Sequence, residues 1–404
     1  MPVLMIGLDG ATFHLLDRFV ADGTMPNLGA LMRRGARATL TSTWNPLTPP
    51  AWTTMVTGRS PEAHGIYDFL RPHTLEDGNV FLHVNDSRRI QTETIWSMAN
   101  RAGRRATALN FFGHAPAPEV DGYVVSGFVP WKHLRQATQP PGLFDQIKSS
   151  ETIDFKKLGM NIAEEKKCIQ GLDEGENMEW IALQEERDTA WTDLTCWLLE
   201  NDPTPLAAVV LDGPDKVQHL FWPYLDPAYA PEQPDAAWQE VHDRCLAYYR
   251  KLDDNIAKLV GAAGDGTDVA ITSDHGFGPT TEIVYLNEWL AQRGYLTWAD
   301  TAQADGGNQL TAARMKDQLG MIDWPRTNAF CPSPSSNAIY LKPRTDGGAG
   351  IRDEDYAETC LSLRQELLAW RHPVDGEPVF TDVRTNKLLG RSFVEPCPDL
   401  TVRL

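Results

Sequence analysis

The chain has 404 residues, 42% of them hydrophobic and 23% charged, enough apolar material for one large α/β domain with an insertion or for two domains. Its 37 lysines and arginines face 55 aspartates and glutamates, a net charge of −18. Such a surface repels phosphate backbones and anionic lipids, which excludes a nucleic-acid polymer or a membrane as general partner. A phosphate-handling site in it needs a local source of positive charge, such as a bound metal cation.

The N-terminus, MPVLMIGLDG, has no basic leader and too short an apolar run for a signal peptide, so a cytoplasmic protein is expected. No stretch reaches the roughly 18 apolar residues of a membrane span. The six cysteines lie far apart with no CxxC pair and read as buried or incidental thiols. The run VLMIGLDG predicts a buried strand ending at Asp9, with a helix over MPNLGALMRRG behind it. TPPAWTTMVTG predicts a helix that opens at Thr48, its start set by two prolines. A threonine in that place is by default an N-cap. Beside a metal, its hydroxyl becomes a nucleophile instead, with the free amides of the helix start turned towards a phosphoryl oxygen. His64, in EAHGI, reads mainly as a turn-shaping residue.

GRRATALNFF and VDGYVVSGF predict two more strands. Residues 129–205 carry few strand signals and predict a helical cap insertion, in which Trp180, Trp191 and Trp197 form a stripe that reads as core. Two further acid-bearing strand ends follow. LAAVVLDG ends at Asp212 with Asp215 just beyond, and DVAITSDHG ends in Asp274 and His275. Pro214 opens a helix that sets Asp215 and His219 one turn apart, a spacing that grips one metal, and Pro223 is expected to end it. Asp212 suits a turn or supporting role. In LNEWL, Asn287 reads mainly as a helix cap and packing element.

Strands alternating with helices predict an α/β fold: a doubly wound, mostly parallel sheet with helices on both faces. Its catalytic domain is expected in two parts, 1–128 and 206–404, around the 129–205 insertion. Ligands bind at the carboxyl ends of the strands in such sheets, so all three acid-bearing turns fall on one edge. Each alone is an ordinary Asp-Gly turn. Together they crowd carboxylates that a cation must hold, and mixed Asp/His ligation suits zinc, with manganese also fitting.

The ordered set GLDGATF, TPPAWTTMVTG, EAHGI, DKVQHLFW, SDHGFGP and LNEWLAQRGYL resembles the type I phosphodiesterase/nucleotide pyrophosphatase family of the alkaline phosphatase superfamily. The resemblance implies an alkaline phosphatase-like fold and two divalent metal ions, with Zn2+ expected. One would be held by Asp9, Asp274, His275 and the nucleophile Thr48, the other by Asp215 and His219. It further implies hydrolysis of a small-molecule phosphodiester or pyrophosphate through a covalent phosphothreonine. A phosphotransferase or phosphomutase on the same scaffold, or a catalytically silent member that only binds ligand, are the alternatives. Two departures stand out. The family's phosphoryl-binding asparagine has no counterpart near Phe69, and its last metal-ligating histidine has none after His275, since His372 stands in the unlike stretch AWRHPVDGEP. The sequence therefore reads as a C-terminally shortened member.

Overall fold

The computed structural model describes residues 1–170, 172, 174–299, 320–333, 335–344, 349–389 and 395–404. The apolar run at the N-terminus forms β1 (Val3–Leu8). A two-stranded hairpin, β2 (Leu70–Thr74) and β3 (Val80–Val84), comes next. The main sheet continues with β4 (Ala106–Leu109), β5 (Gly122–Val125), β6 (Thr138–Gln139), β7 (Leu206–Leu211) and β8 (Asp268–Thr272). Its order is β6-β5-β4-β7-β1-β8, parallel throughout except for the short edge strand β6. Leu8 pairs with Leu211 and Gly7 with Thr272, so Asp9, Asp212 and the Ser273–Asp274 turn leave the sheet at the same edge.

Alternation along the strands assigns the two faces. Leu4, Ile6 and Leu8 point into the larger core, shared with α1 (Phe13–Ala21) and α2 (Pro26–Arg34). Met5 points the other way, into a smaller core under α3 (Thr48–Thr57) and α4 (Ile95–Arg101). The larger core also takes in α5 (Asn177–Asn201), α6 (Gly213–Leu225) and α7 (Ala236–Ala263). Trp180 and Trp191 of α5 are buried in it, and Trp197 packs at its margin. Each large apolar side chain so covered contributes on the order of 1.5–3 kcal/mol.

One local reading is refined and one corrected. The helix expected to end at Pro223 breaks two residues earlier, where Phe221 leaves helical geometry (φ −119°, ψ 18°), and a short second helical segment holding Pro223 carries α6 on to Leu225. Asn287 does not cap its helix: its amide binds both the Cys331 carbonyl (2.9 Å) and the Cys331 amide (2.7 Å). Those bonds tie it to a second sheet, antiparallel, built from β9 (Ala329–Phe330), β10 (Ala338–Leu341), β11 (Asp382–Thr385) and β12 (Leu400–Arg403) in the order β11-β12-β10-β9, with a core of its own. Among the described residues no helix is long and apolar enough to cross a membrane.

Candidate metal centre

Three turns at the carboxyl edge of the main sheet deliver the acidic side chains. Asp9 follows β1, Asp274 and His275 follow β8, and Asp215 stands in the first turn of α6. Gly10 makes the β1 turn at φ +65°, and a Cβ there would lie 2.9 Å from Asp215 Oδ1. Glycine thus lets the first two turns meet. Its amide donates to Asp274 Oδ1 at 3.2 Å, which draws in the third.

The cluster converges on one atom, His275 Nε2. It lies 3.4 Å from Asp274 Oδ2, 3.5 Å from Asp9 Oδ1, 4.0 Å from Asp215 Oδ1 and 3.4 Å from Thr48 Oγ1. The other ring nitrogen faces the Gly276 carbonyl at 2.8 Å, and a carbonyl only accepts, so Nδ1 carries the proton. In the neutral ring Nε2 then turns a lone pair towards four oxygens. Asp9 Oδ1 and Asp274 Oδ2 are buried and have no hydrogen-bond partner. Burial, reinforced by Asp274 and Asp215, pushes the Asp9 carboxyl well above its ordinary range. Burial likewise pushes Asp274 up to about 8. Orphaned carboxylate oxygens around an imidazole lone pair are the donor set of a divalent cation, so these residues fit such an ion. Among the described residues, Asp9, Asp274 and His275 are the one group of three such side chains whose ligand atoms all lie within 4.8 Å.

Asp215 and His219 form a second, sparser pair. His219 Nε2 lies 3.4 Å from Asp215 Oδ2, and its ring packs edge-on against Phe277 at 4.8 Å. Burial works against a charge on His219, but its bond to Asp215 raises its pKa above the ordinary value. Among the described residues no third histidine, cysteine or carboxylate completes this pair as a ligand group. His372 is engaged elsewhere, bonding Asp375 (2.9 Å) and Glu282 (3.0 Å).

Thr48 is the first residue of α3, and the N-cap is Leu47. The threonine hydroxyl is therefore not spent on capping and faces His275. The expected cradle of helix-start amides is absent: Pro49 and Pro50 carry no amide hydrogen, and the Ala51 amide already bonds the Leu47 carbonyl at 3.1 Å. Only the Thr48 amide remains, so stabilisation of a phosphoryl oxygen falls mainly on bound cations.

Trp52 is the residue the sequence reading overlooked. One turn after Thr48, it shares that helix face, and its Nε1 donates to Asp9 Oδ2 at 3.1 Å. The four-residue spacing from Thr48 was the available signal. Gly7 makes room for it, since a Cβ at Gly7 would sit 2.4 Å from Trp52 Cη2.

Asp212 supports the centre from below. It is buried and accepts from Arg187 Nε (3.0 Å) and Asn110 Nδ2 (2.9 Å), with Lys216 Nζ at 3.4 Å. Burial alone would raise its pKa, but Arg187 and Lys216 hold it below the usual carboxylate range. Asp188, which accepts from the Gly213 amide and from Tyr248, pins the neighbouring turn. Together they fix the start of α6 and so the position of Asp215. His64 is fully buried, bonded to Thr54 (2.9 Å) and accepting from the Ile66 amide (3.1 Å), and burial lowers its pKa to about 3. It is a neutral structural residue. Asp68 is buried, accepts from the Phe69 amide at 2.6 Å, and is pushed above the ordinary carboxylate value by burial.

The mostly parallel α/β sheet thus carries an Asp/His cluster fit for a metal at its carboxyl edge, and comparisons with known proteins give the class to which this arrangement belongs. The chain belongs to the type I phosphodiesterase / nucleotide pyrophosphatase family, whose sequence model matches residues 3–402, and is accordingly a phosphoric ester hydrolase. It is similar over its whole length to phosphonoacetate hydrolase from Sinorhizobium meliloti 1021 in complex with phosphonoformate, at 17% identity and a TM-score of 0.59, covering 80% of that chain. It is similar to murine ectonucleotide pyrophosphatase/phosphodiesterase 5 bound to AMP, at 15% identity and a TM-score of 0.51, covering 100% of this chain and 78% of that one. Alkaline phosphatase PafA matches at 13% identity and a TM-score of 0.51, with 99% of this chain and 84% of that one covered. At these identities the structures attest the fold. Among curated proteins no sequence matches.

Proposed function

We propose that the protein hydrolyses phosphodiester or pyrophosphate bonds in small molecules, with Thr48 as nucleophile. The observation that carries this reading is the convergence of Thr48 Oγ1, Asp9 Oδ1, Asp274 Oδ2 and Asp215 Oδ1 within 4.0 Å of His275 Nε2. Asp9, Asp274, His275 and Thr48 would hold one divalent ion, and Asp215 with His219 a second; zinc suits the mixed ligands, and manganese fits them too. When bound, the ions neutralise the attacking and departing oxygens and favour the ionised threonine.

The chain's own groups do the rest. α3 presents the Thr48 hydroxyl, uncapped, to the phosphorus. The hydroxyl loses its proton to solvent, its oxygen attacks in line, the ester oxygen leaves with the electron pair of the broken P–O bond, and residue 48 carries the phosphoryl group. Water then cleaves that ester and restores the hydroxyl. Trp52 holds the Asp9 carboxylate in one orientation by occupying its second oxygen. The Gly276 carbonyl fixes the His275 tautomer and so keeps Nε2 unprotonated.

Hydrolysis of bis(p-nitrophenyl) phosphate by the purified chain with added zinc, beside Thr48→Ala, tests the reading. It expects turnover that falls by a factor of roughly 10³ or more in the variant. Equal turnover in both proteins would refute it.

A further inference from the structure

The second sheet meets the segment that leads into α3 through Trp44. Along β11 and β12, Val383, Leu400 and Val402 face the sheet's own core, and the alternate positions turn outward. There Arg384 pairs with Thr401 and Arg403 with Asp382, so the two arginines are diagonal neighbours on the outer face. Both guanidiniums lie over the Trp44 indole, Arg384 at 3.6 Å from the ring centroid and Arg403 at 5.0 Å. A guanidinium is planar and stacks on an aromatic face, so the indole is held by shape as well as by charge. Trp44 stands where such a hold matters. Residues 36–47 form no helix or strand, and no ladder fixes the chain there. Ser42 Oγ donates to the Asp274 carbonyl at 2.7 Å, which brings this chain against the metal centre. Asn45 Nδ2 donates to the Tyr67 carbonyl at 2.9 Å, and the Thr43 hydroxyl and the Leu47 amide both close on the Asn45 carbonyl. Trp44 lies between these anchors. The helix start beyond adds no cap of its own, because Leu47 makes no side-chain cap bond and Pro49 and Pro50 have no amide hydrogen. Four residues of chain span at most about 14 Å, so the indole is tied closely to the Thr48 hydroxyl.

Resting on the reading of Thr48 as nucleophile, we propose that Arg384 and Arg403 are positioning residues for it: their stack on Trp44 fixes segment 42–48 and so aims the Thr48 hydroxyl at the phosphorus. The two arginines act through the indole and touch neither substrate nor metal. Their loss lowers the rate of the chemical step rather than binding, because a displacement of about 1 Å at a reacting atom costs roughly 100-fold. The second sheet thus has a part in the reaction although it carries none of the reacting groups.

The test compares turnover of bis(p-nitrophenyl) phosphate by the zinc-loaded wild type, Arg384→Gln/Arg403→Gln, Trp44→Leu and Trp44→Phe, with melting curves to confirm that each is folded. The arginine pair variant and Trp44→Leu should each lose at least about tenfold in kcat, while KM and zinc affinity stay within about twofold. Trp44→Phe keeps a ring face for the guanidiniums and should retain most of the rate. Trp44→Leu added to the arginine pair variant should cost little more, because the stack acts as one unit. A folded arginine pair variant with wild-type kcat, whatever its KM, would overturn the proposal. So would a rate in Trp44→Phe as low as in Trp44→Leu, and if the pair variant does not fold, these two variants decide. A wild type that turns over no ester would count against the phosphoester reading instead, and hydrogen exchange of the amides of residues 42–48 would then decide on the clamp. Exchange at least about tenfold faster in the arginine pair variant supports it; equal exchange would sink it.

Discussion

Trp52 and Asp9 are joined by a single hydrogen bond, 3.1 Å from the indole nitrogen to Oδ2, which leaves Oδ1 as the carboxylate oxygen turned to the centre. The same helix face carries Thr48 one turn earlier. A change in how α3 seats on β1 therefore moves the hydroxyl and the Asp9 orientation together. Trp52→Phe keeps most of the ring in its place and removes the donor. Zinc affinity should fall by about 10–100-fold, as for other losses of a ligand's supporting bond. Chelator competition, run beside a melting curve to confirm the fold, checks this.

Gly7 is the floor beneath that indole. Gly7→Ala would put a methyl 2.4 Å from Trp52 Cη2, which forces the ring or α3 to shift. The expected cost is about 1–3 kcal/mol of stability, read from urea unfolding, with a matching loss of turnover because Thr48 travels with the helix.

Arg187 and Asp212 form a buried ion pair, each at most 4% exposed on its side chain. Arg187→Leu would leave the buried Asp212 carboxylate with Asn110 and the Lys216 ammonium at 3.4 Å, so the loss of its closer partner is only partly compensated and the cost should fall near the lower end of the about 3–5 kcal/mol typical of a broken buried pair. Replacing Asp212 with Asn in the same protein should recover part of that loss. Denaturant unfolding of the two single variants and the double variant measures the coupling.

His64 and His114 are buried, and burial lowers their pKa values to about 3 and about 4. In the unfolded chain both take up a proton near pH 6.5. A base whose folded pKa is depressed loses stability as pH falls: the unfolded state binds the proton first. Between pH 6.5 and pH 4 each histidine should therefore destabilise the fold by about 1.4 kcal/mol per pH unit. Urea unfolding at pH 7 and pH 5 should show a smaller loss in His64→Gln than in the wild type. An equal loss would contradict the buried, neutral assignment.

The main sheet was legible because most of its strands are continuous apolar runs, three of which, β1, β7 and β8, are punctuated by an acid and a small residue; the two-residue edge strand β6 gave no such signal. That punctuation also exposed Asp9, Asp215, Asp274 and His275, although they lie far apart in the chain. The second sheet was not legible: its strands have two to four residues, too few for a period to show. The Trp52–Asp9 bond depends on Gly7 leaving a space across the sheet, a tertiary fact with no local signature. The missing amide cradle was readable and misjudged, since Pro49 and Pro50 announce in the sequence that those positions have no hydrogen to give.

Zinc titration of chelator-stripped protein, followed by calorimetry, tests the central claim most directly. The wild type should show one tight site. Asp274→Asn should weaken it at least tenfold, Thr48→Ala should weaken it less, because it removes a neutral hydroxyl and leaves the three Asp9, Asp274 and His275 donors in place, and His219→Ala should affect only a second, weaker event. If Asp274→Asn binds zinc as tightly as the wild type, the cluster around His275 Nε2 is not a metal centre.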